Sequence, residues 1–202
     1  DAQGAFRGRG FFGDYTATIT VAGQRIEKTF SLRAGAAAPT IAITAQPPRL
    51  ANLAVRAPAG GVAASPFIGF TITGTAPKLV LIRGLGPVLE YFGLTGVLAH
   101  PTLTVFQGTQ PIATNTGWTT AANVADVRTA TARAGTFALA DNSADCALLL
   151  RLAPGGYTAG VDAPAGATGV ALVEAYEVEA DDSRFSNLST RAFVGTGASV
   201  LI

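Results

Sequence analysis

The sequence contains few of the side chains that enzymes use for chemistry. Among its 202 residues there is one histidine, His100, one cysteine, Cys146, and no methionine. One cysteine cannot form an internal disulfide bond, and one histidine cannot form a metal site that needs several imidazoles. We interpret His100 as a turn residue and Cys146 as a small core residue. The sequence therefore predicts a protein that is not an enzyme and that uses no cofactor.

Charged residues and long apolar runs are also scarce. Charged residues make up 13% of the chain, with a net charge of +1, whereas roughly 25% is usual in globular domains. The basic residues are scattered, which argues against nucleic acid as a partner, and no apolar run approaches the roughly 18 residues of a transmembrane helix. We expect neighbouring protein to cover part of a surface so poor in charge. The alternative is a surface of threonine and glycine that needs no cover.

What is present is a series of short segments with alternating apolar residues. Tyr15 and Ile19 alternate with threonines, Gly23 supplies a turn, and residues 25–32 run back, which predicts an N-terminal β-hairpin. Further strands are predicted at residues 52–57, 67–73, 78–83, 102–107, 112–114, 147–152, 157–161 and 170–178. Glycine, proline and asparagine separate these strands, as in a sandwich. The pattern predicts an all-β fold, an antiparallel β-sandwich or jelly roll.

Two short helices and two boundaries complete the predicted organisation. The helices are expected at residues 87–92 and 121–133, the second because alanine favours helix. Proline-rich and alanine-rich stretches near residues 34–48 indicate a linker. We therefore predict a hairpin segment with its linker at residues 1–46, a main sandwich at 47–183, and C-terminal strands at 184–202.

An internal repeat sets the last of these boundaries. Residues 49–57 recur as residues 184–192, with five of nine positions identical at a constant offset of 135. The repeat predicts that a second unit begins near Arg184, with edges and an apolar face that need a partner. The alternative is that the segment from Ser186 folds back on its own domain, pairs near residues 52–73 and closes the sandwich.

Several motifs after residue 49 resemble a known repeat in their order. They are LVLIRGLGP at 79–87, GLTGVLAHPTL at 93–103, ATN at 113–115 with Trp118, PGGYTA at 154–159, TGVALVEAY at 168–176 and NLSTR at 187–191. Together they resemble a tandem β-sandwich repeat of large secreted proteins from verrucomicrobia-like environmental bacteria, and residues 103–176 resemble the pre-peptidase C-terminal domain of secreted bacterial peptidases. The resemblance implies an extracellular or cell-surface location and a sandwich fold, but no activity.

The N-terminal hairpin resembles the last two strands of bacterial immunoglobulin-like repeats. The residues that carry this likeness are GDYTATI at 13–19. Such repeats often precede the longer unit in these secreted proteins. The resemblance implies that the chain begins late in one module and ends early in another.

Four patterns in the sequence bear on chemistry and ligand binding. GRGFFG at 8–13 matches the spacing of a dinucleotide loop, but a strand rather than a helix follows it, so we interpret it as a loop. Glu174, Glu177 and Glu179 are expected to be solvated strand residues. The oxygen-rich segment from Asp141 to Asp145 is a weak calcium candidate or a plain turn. Three aromatic residues form either a sugar-binding platform or core packing: Trp118, Tyr157 and Tyr176.

These observations favour a structural or assembly module, and a filament subunit joined head to tail by β-strand addition is the specific hypothesis. The expected partners are copies of the chain or neighbouring modules. The predicted assembly residues are Tyr15 and Ile19 in the hairpin and Asn187, Phe193, Val194, Val200, Leu201 and Ile202 near the C-terminus. The alternative is a carbohydrate-binding or calcium-binding accessory module of a secreted protein.

Overall fold

Alternating side chains form the N-terminal hairpin as predicted. The computed structural model describes residues 10–21, 24–37, 39–41, 49–61, 65–179 and 181–194, and contacts divide the chain into two units, Asp1–Pro48 and Arg49–Ile202. In the first unit β1 (Gly13–Val21) pairs antiparallel with β2 (Gln24–Leu32). Tyr15 lies opposite Phe30, and their rings stack with centroids 5.5 Å apart.

The second unit is an all-β antiparallel sandwich, which confirms the predicted fold class. Its sheets have the orders β3-β10-β5-β8 and β11-β4-β9-β6-β7. The strands are β3 (Asn52–Gly60), β4 (Phe67–Thr73), β5 (Lys78–Leu85), β6 (Thr102–Gln107), β7 (Gln110–Asn115), β8 (Cys146–Leu152), β9 (Gly155–Asp162), β10 (Thr168–Glu177) and β11 (Arg184–Arg191). Every predicted strand of the main sandwich is present, most of them one to three residues longer.

The core lies between the two sheets and follows the alternation of the sequence. On β4, Ile68, Phe70 and Ile72 point inward and are buried, and Val55 of β3 and Val173 of β10 belong to the same cluster. Burial of such side chains stabilises the fold by about 1.5–3 kcal/mol each. A period of two therefore directs Phe67, Gly69 and Thr71 to the outer face of the five-stranded sheet.

The outer face of the four-stranded sheet is covered by the segment between β7 and β8. This segment contains a short 3-10 helix at Trp118–Thr120 and the helix α1 (Val124–Arg133). A second 3-10 helix, at Pro87–Phe92, lies between β5 and β6. Trp118 and Val127 pack with Leu81 and Leu85 in a second apolar cluster. Both predicted helical segments are thus helical, although the first is a 3-10 helix. Within the described residues, every helix is too short or too polar to span a bilayer.

The structure differs from the prediction that a second unit begins near Arg184. β11 pairs antiparallel with β4 of the same sheet, and contacts place it in the unit Arg49–Ile202. Phe185 points into the core and is 2% exposed. The described residues thus follow the alternative in which this segment folds back, because β4 offers an open edge and the core accepts Phe185.

Two groups of buried charges tie loops to the sandwich. Arg83 of β5 pairs with Glu174 of β10, and its two terminal nitrogens also donate 2.6 Å hydrogen bonds, Nη1 to the Phe137 carbonyl and Nη2 to the Thr136 hydroxyl. Arg49 and Lys78 both contact Glu177. Glu174 and Glu177 are therefore not solvated, which corrects that prediction. Glu179 is half-buried and pairs with Arg151 at 3.3 Å.

Candidate assembly surfaces

The hairpin presents one apolar face that contains both predicted residues of this unit. Tyr15 and Ile19 lie on the same face as Phe30 and Ile26, and all four are only half-buried. Lys28, opposite Ala17, is the one charged side chain on this face within the described residues. We define these residues as the hairpin face. Two paired strands form a single layer, so they cannot bury one of their own faces without a second layer packed against it.

The other face of the hairpin is polar and exposed. Thr16, Thr18 and Thr20 lie there, and Asp14 sits at its open end. The Ser31 hydroxyl and the Arg33 guanidinium contact the Asp14 carboxylate and hold its pKa below its usual value. The hairpin thus has one polar and one apolar face, as antiparallel sheets commonly do.

Two further aromatic residues precede the hairpin and are exposed. Phe11 and Phe12 are 91% and 71% exposed. The Tyr15 hydroxyl donates a 2.7 Å hydrogen bond to the Phe11 carbonyl, which holds this segment beside β1. Exposed aromatic residues clustered in this way are typical of interaction surfaces.

In the sandwich, β11 is the most open of the four edge strands. Two of the others contain a proline, Pro58 in β3 and Pro111 in β7. Proline has no N–H group and cannot donate a backbone hydrogen bond to an added strand. At the β8 edge, α1 packs alongside and the Asn123 amide donates to the Leu149 carbonyl at 3.2 Å. β11 contains no proline and, within the described residues, pairs only with β4.

The edge of β11 carries polar side chains and one irregularity. Asn187, Ser189 and Thr190 are exposed, and a bulge interrupts the register between Phe185 and Asn187. Beyond the bulge, five consecutive residues from Asn187 to Arg191 pair regularly with β4. This stretch could accept a short added strand through its outer backbone groups.

The remaining predicted assembly residues follow β11. Phe193 and Val194 are described and are 44% and 62% exposed. Val200, Leu201 and Ile202 lie outside the described residues. The structure thus places one predicted group on the hairpin and another on or after β11, in two separate units.

The calcium candidates Asp141 and Asp145 do not share a site. The Asp145 carboxylate is buried and accepts hydrogen bonds from the backbone N–H groups of Gly86 (2.7 Å) and Val88 (3.1 Å), and from the Ser143 hydroxyl. Asp141 is exposed and pairs with Arg128 at 2.7 Å. No group of three or more metal-ligating side chains occurs within the described ranges. Asp145 instead fixes the start of the 3-10 helix after β5.

The three aromatic residues considered as a sugar platform are packed into the protein, Trp118 and Tyr176 in one apolar cluster and Tyr157 in the other. Trp118 is 2% exposed, and its indole nitrogen donates to the Ala140 carbonyl at 2.9 Å. Tyr157 is buried and donates to the Ala153 carbonyl, while Tyr176 donates to Thr136. Burial raises the pKa of both tyrosines. These three side chains therefore pack in the core, which is the other alternative given by the sequence.

Cys146 and His100 occupy the environments expected from the sequence. Cys146 is fully buried, and burial raises the pKa of its thiol to about 12. A thiol with such a pKa is scarcely ionised near neutrality, so it is a poor nucleophile. His100 is exposed, in the segment between the 3-10 helix and β6.

An aromatic pair that sequence reasoning missed lies on the outer face of the five-stranded sheet. Phe67 of β4 and Phe106 of β6 have ring centroids 6.4 Å apart. Arg191 of β11 places its guanidinium carbon 4.8 Å from the centre of the Phe67 ring. The alternation around Ile68 and Val105 could have placed each Phe on an outer face. Their proximity could not be found in this way, because it depends on β9 lying between β4 and β6.

Comparisons with protein-family models, with curated proteins and with solved structures found no match to this chain. The resemblances to secreted sandwich repeats and to immunoglobulin-like repeats therefore stay predictions.

Proposed function

We propose that the chain is an extracellular structural module that assembles with copies of itself, and that the hairpin face is its principal contact. The observation that carries this proposal is that β1 and β2 form a two-stranded sheet with one apolar face and, within the described residues, no third strand. A two-stranded hairpin is marginally stable in water by itself. A neighbour that covers Tyr15, Ile19, Ile26 and Phe30 supplies the missing layer.

Covering the apolar side chains of the hairpin lowers the free energy of association. Each large apolar side chain gains about 1.5–3 kcal/mol when it passes from water to full burial. The four members of the hairpin face are already half-buried, so a partner gains part of that amount from each of them. Phe11 and Phe12, which are 91% and 71% exposed, add to the apolar surface that a partner can cover. This gain opposes the cost of association, which is several kcal/mol.

The edge of β11 supplies a second, different contact. A strand added there pairs through backbone groups, while the hairpin face binds through side chains. Two different surfaces on one chain make head-to-tail contacts, and such contacts produce rings or open filaments according to their rotation. The low proportion of charged residues, 13%, supports a surface that is largely covered. The extracellular location rests on the resemblance to secreted repeats.

Lys28 sets a requirement on the partner. It lies in the middle of the hairpin face, opposite the small side chain of Ala17. A partner must leave its ammonium group in water or supply an acidic group, because a buried unpaired charge is costly. Lys28 thus favours one alignment of the partner over others.

The test compares two lysine substitutions on opposite faces of one strand. Ile19→Lys places a charge on the hairpin face, and Thr18→Lys places the same charge on the exposed polar face as a matched control. We expect the wild type and Thr18→Lys to form assemblies visible by negative-stain microscopy, and Ile19→Lys to form none. Trp118, the only tryptophan, lies in the other unit and reports whether the sandwich stays folded. Equal assembly of both variants, or none by the wild type, would contradict the proposal.

A further inference from the structure

The two sheets of the sandwich differ in what covers their outer faces. The four-stranded sheet is covered by α1 and by the residues around Trp118. The five-stranded sheet has no such cover within the described residues, and its outer face contains a groove of about 580 Å³. We call this the outer-face groove. It is lined by Phe67, Gly69, Phe106, Gly108, Thr109, Thr158, Ser189, Thr190 and Arg191.

Glycines shape the floor of this groove. The Phe67 ring lies against the backbone of Gly160, so closely that a side chain at that position would collide with it. A side chain at Gly69 would come within 2.5 Å of the Ser189 hydroxyl oxygen. The absence of side chains at these two positions lets an aromatic ring lie flat on the sheet and keeps space open beside it. The volume of the outer-face groove, about 580 Å³, falls in the range of small-molecule sites.

The lining of the groove combines aromatic, hydroxyl and cationic side chains. It contains two aromatic rings, the hydroxyl side chains of Thr109, Thr158 and Ser189, and one cation, but no carboxylate and no large aliphatic side chain. Aromatic faces carry partial negative charge and attract the C–H groups of a flat apolar surface. Hydroxyl groups donate and accept hydrogen bonds with other hydroxyls. A ligand that combines C–H faces with hydroxyl groups is a sugar.

Arg191 adds a requirement for negative charge. Its guanidinium lies over Phe67, and Arg191 is absent from the ion pairs formed among the described residues. Stacking on a ring orients the planar guanidinium and leaves its N–H groups available for a carboxylate. Because no acidic residue lines the groove, a carboxylate from the ligand meets no repulsion there.

We propose that the outer-face groove binds an acidic polysaccharide, with a sugar ring against Phe106 and a uronate carboxylate on Arg191, which Phe67 holds in place. All residues that line the groove belong to the unit Arg49–Ile202. A neutral sugar would leave the guanidinium without a partner. An acidic peptide would supply the charge but not the hydroxyl groups that match Thr109, Thr158 and Ser189.

The experiment is isothermal titration of the full chain with oligogalacturonate and with alginate oligosaccharide. Methyl-esterified oligogalacturonate, which keeps the sugar backbone but lacks the charge, and polyglutamate, which keeps the charge but lacks the sugar, serve as probes of each requirement. We expect binding of at least one acidic oligosaccharide, and weaker binding at high salt. Methyl-esterified oligogalacturonate should bind at least tenfold more weakly than the oligosaccharide that binds. Failure of both acidic glycans to bind, or equal binding of polyglutamate, would overturn the proposal.

Two arginine variants separate the groove from general charge. Arg191→Ala removes the cation in the groove, whereas Arg184→Ala removes an exposed arginine at the other end of the same strand, outside the lining. We expect Arg191→Ala to weaken glycan binding at least tenfold and Arg184→Ala to change it less than twofold. Phe106→Ala gives a second variant that leaves the net charge unchanged, with the same loss expected. Equal losses in the two arginine variants would show that net charge, not the groove, binds the ligand.

Discussion

The ring of Phe185 packs against that of Phe70, with centroids 5.0 Å apart and planes tilted by 48°. This contact joins β11 to the centre of the core, because Phe70 lies on β4 and also stacks on Tyr157 of β9 at 5.8 Å. Residues 184–192, which repeat residues 49–57, therefore contribute a strand to the same sandwich.

Truncation of Phe185 tests this role directly. We expect Phe185→Ala to lower the free energy of unfolding by about 3–5 kcal/mol, because it removes a buried ring and leaves a cavity. The exposed neighbour Ser186 is the control, and Ser186→Ala should change stability by less than about 0.5 kcal/mol. Denaturant unfolding followed by Trp118 fluorescence measures both. An unchanged unfolding midpoint for Phe185→Ala would show that β11 is not part of the core.

The Arg83–Glu174 pair gives a prediction of coupling. Arg83→Met leaves the Glu174 carboxylate buried without its partner, which should cost about 3–5 kcal/mol. The double variant Arg83→Met with Glu174→Leu removes both charges and should be more stable than the single variant. Thermal or denaturant unfolding of the two variants checks this order. If the double variant is the less stable of the two, the pair is not the source of the cost.

The carboxylate of Asp145 should act as a backbone acceptor and not as a calcium ligand. Asp145→Ala leaves the N–H groups of Gly86 and Val88 unpaired, at about 1–3 kcal/mol for each buried group. Asp141→Ala, which removes only an exposed ion pair, should cost less than about 1 kcal/mol. The melting temperature of the wild type should be the same in calcium and in chelator. A rise in calcium that Asp145→Ala abolishes would restore the metal hypothesis.

Cys146 should be inert in the folded protein. Burial is the main reason that the pKa of its thiol is raised to about 12, and nearby Asp145 raises it further. At pH 8 the thiolate is therefore a minute fraction, and the sulfur is also inaccessible. We expect no labelling by a thiol reagent in native buffer and complete labelling in denaturant. Rapid labelling of the native protein would mean that β8 opens readily.

The strands of the sandwich were predictable because their core has a strict period of two. Ile68, Phe70 and Ile72 alternate with Phe67, Gly69 and Thr71, and glycine or proline marks the ends of most segments. The pairing order was not predictable from this pattern. Which strands lie side by side depends on contacts distant in sequence, and the proximity of Phe67 to Phe106 depends on that order.

The sequence pattern does not reveal that Glu174 and Glu177 are buried, for a related reason. Glu174 lies in β10, which has a partner on both sides, β3 and β5. A strand in the middle of a sheet that is covered on both faces has no solvated side, so its charges need partners. The available signal was a pair of single charges within apolar runs, Arg83 in LVLIRGL and Glu174 in GVALVEAY.

The repeat is explained by the places that its two copies occupy. The first copy contributes β3, at the edge of the four-stranded sheet, and the second contributes β11, at the edge of the five-stranded sheet. Leu53 and Leu188, which correspond in the repeat, both pack against the core. Similar edge positions thus accept similar sequences, whereas Leu50 is exposed and its counterpart Phe185 is buried.

The mass of the full chain in solution tests self-assembly most directly. Sedimentation equilibrium over a wide range of protein concentrations measures this mass without labels or variants. We predict that the average mass rises with concentration to multiples of the single chain. A mass equal to one chain at every concentration, with the hairpin amides well protected from hydrogen exchange, would contradict the proposal that neighbouring copies cover the hairpin face.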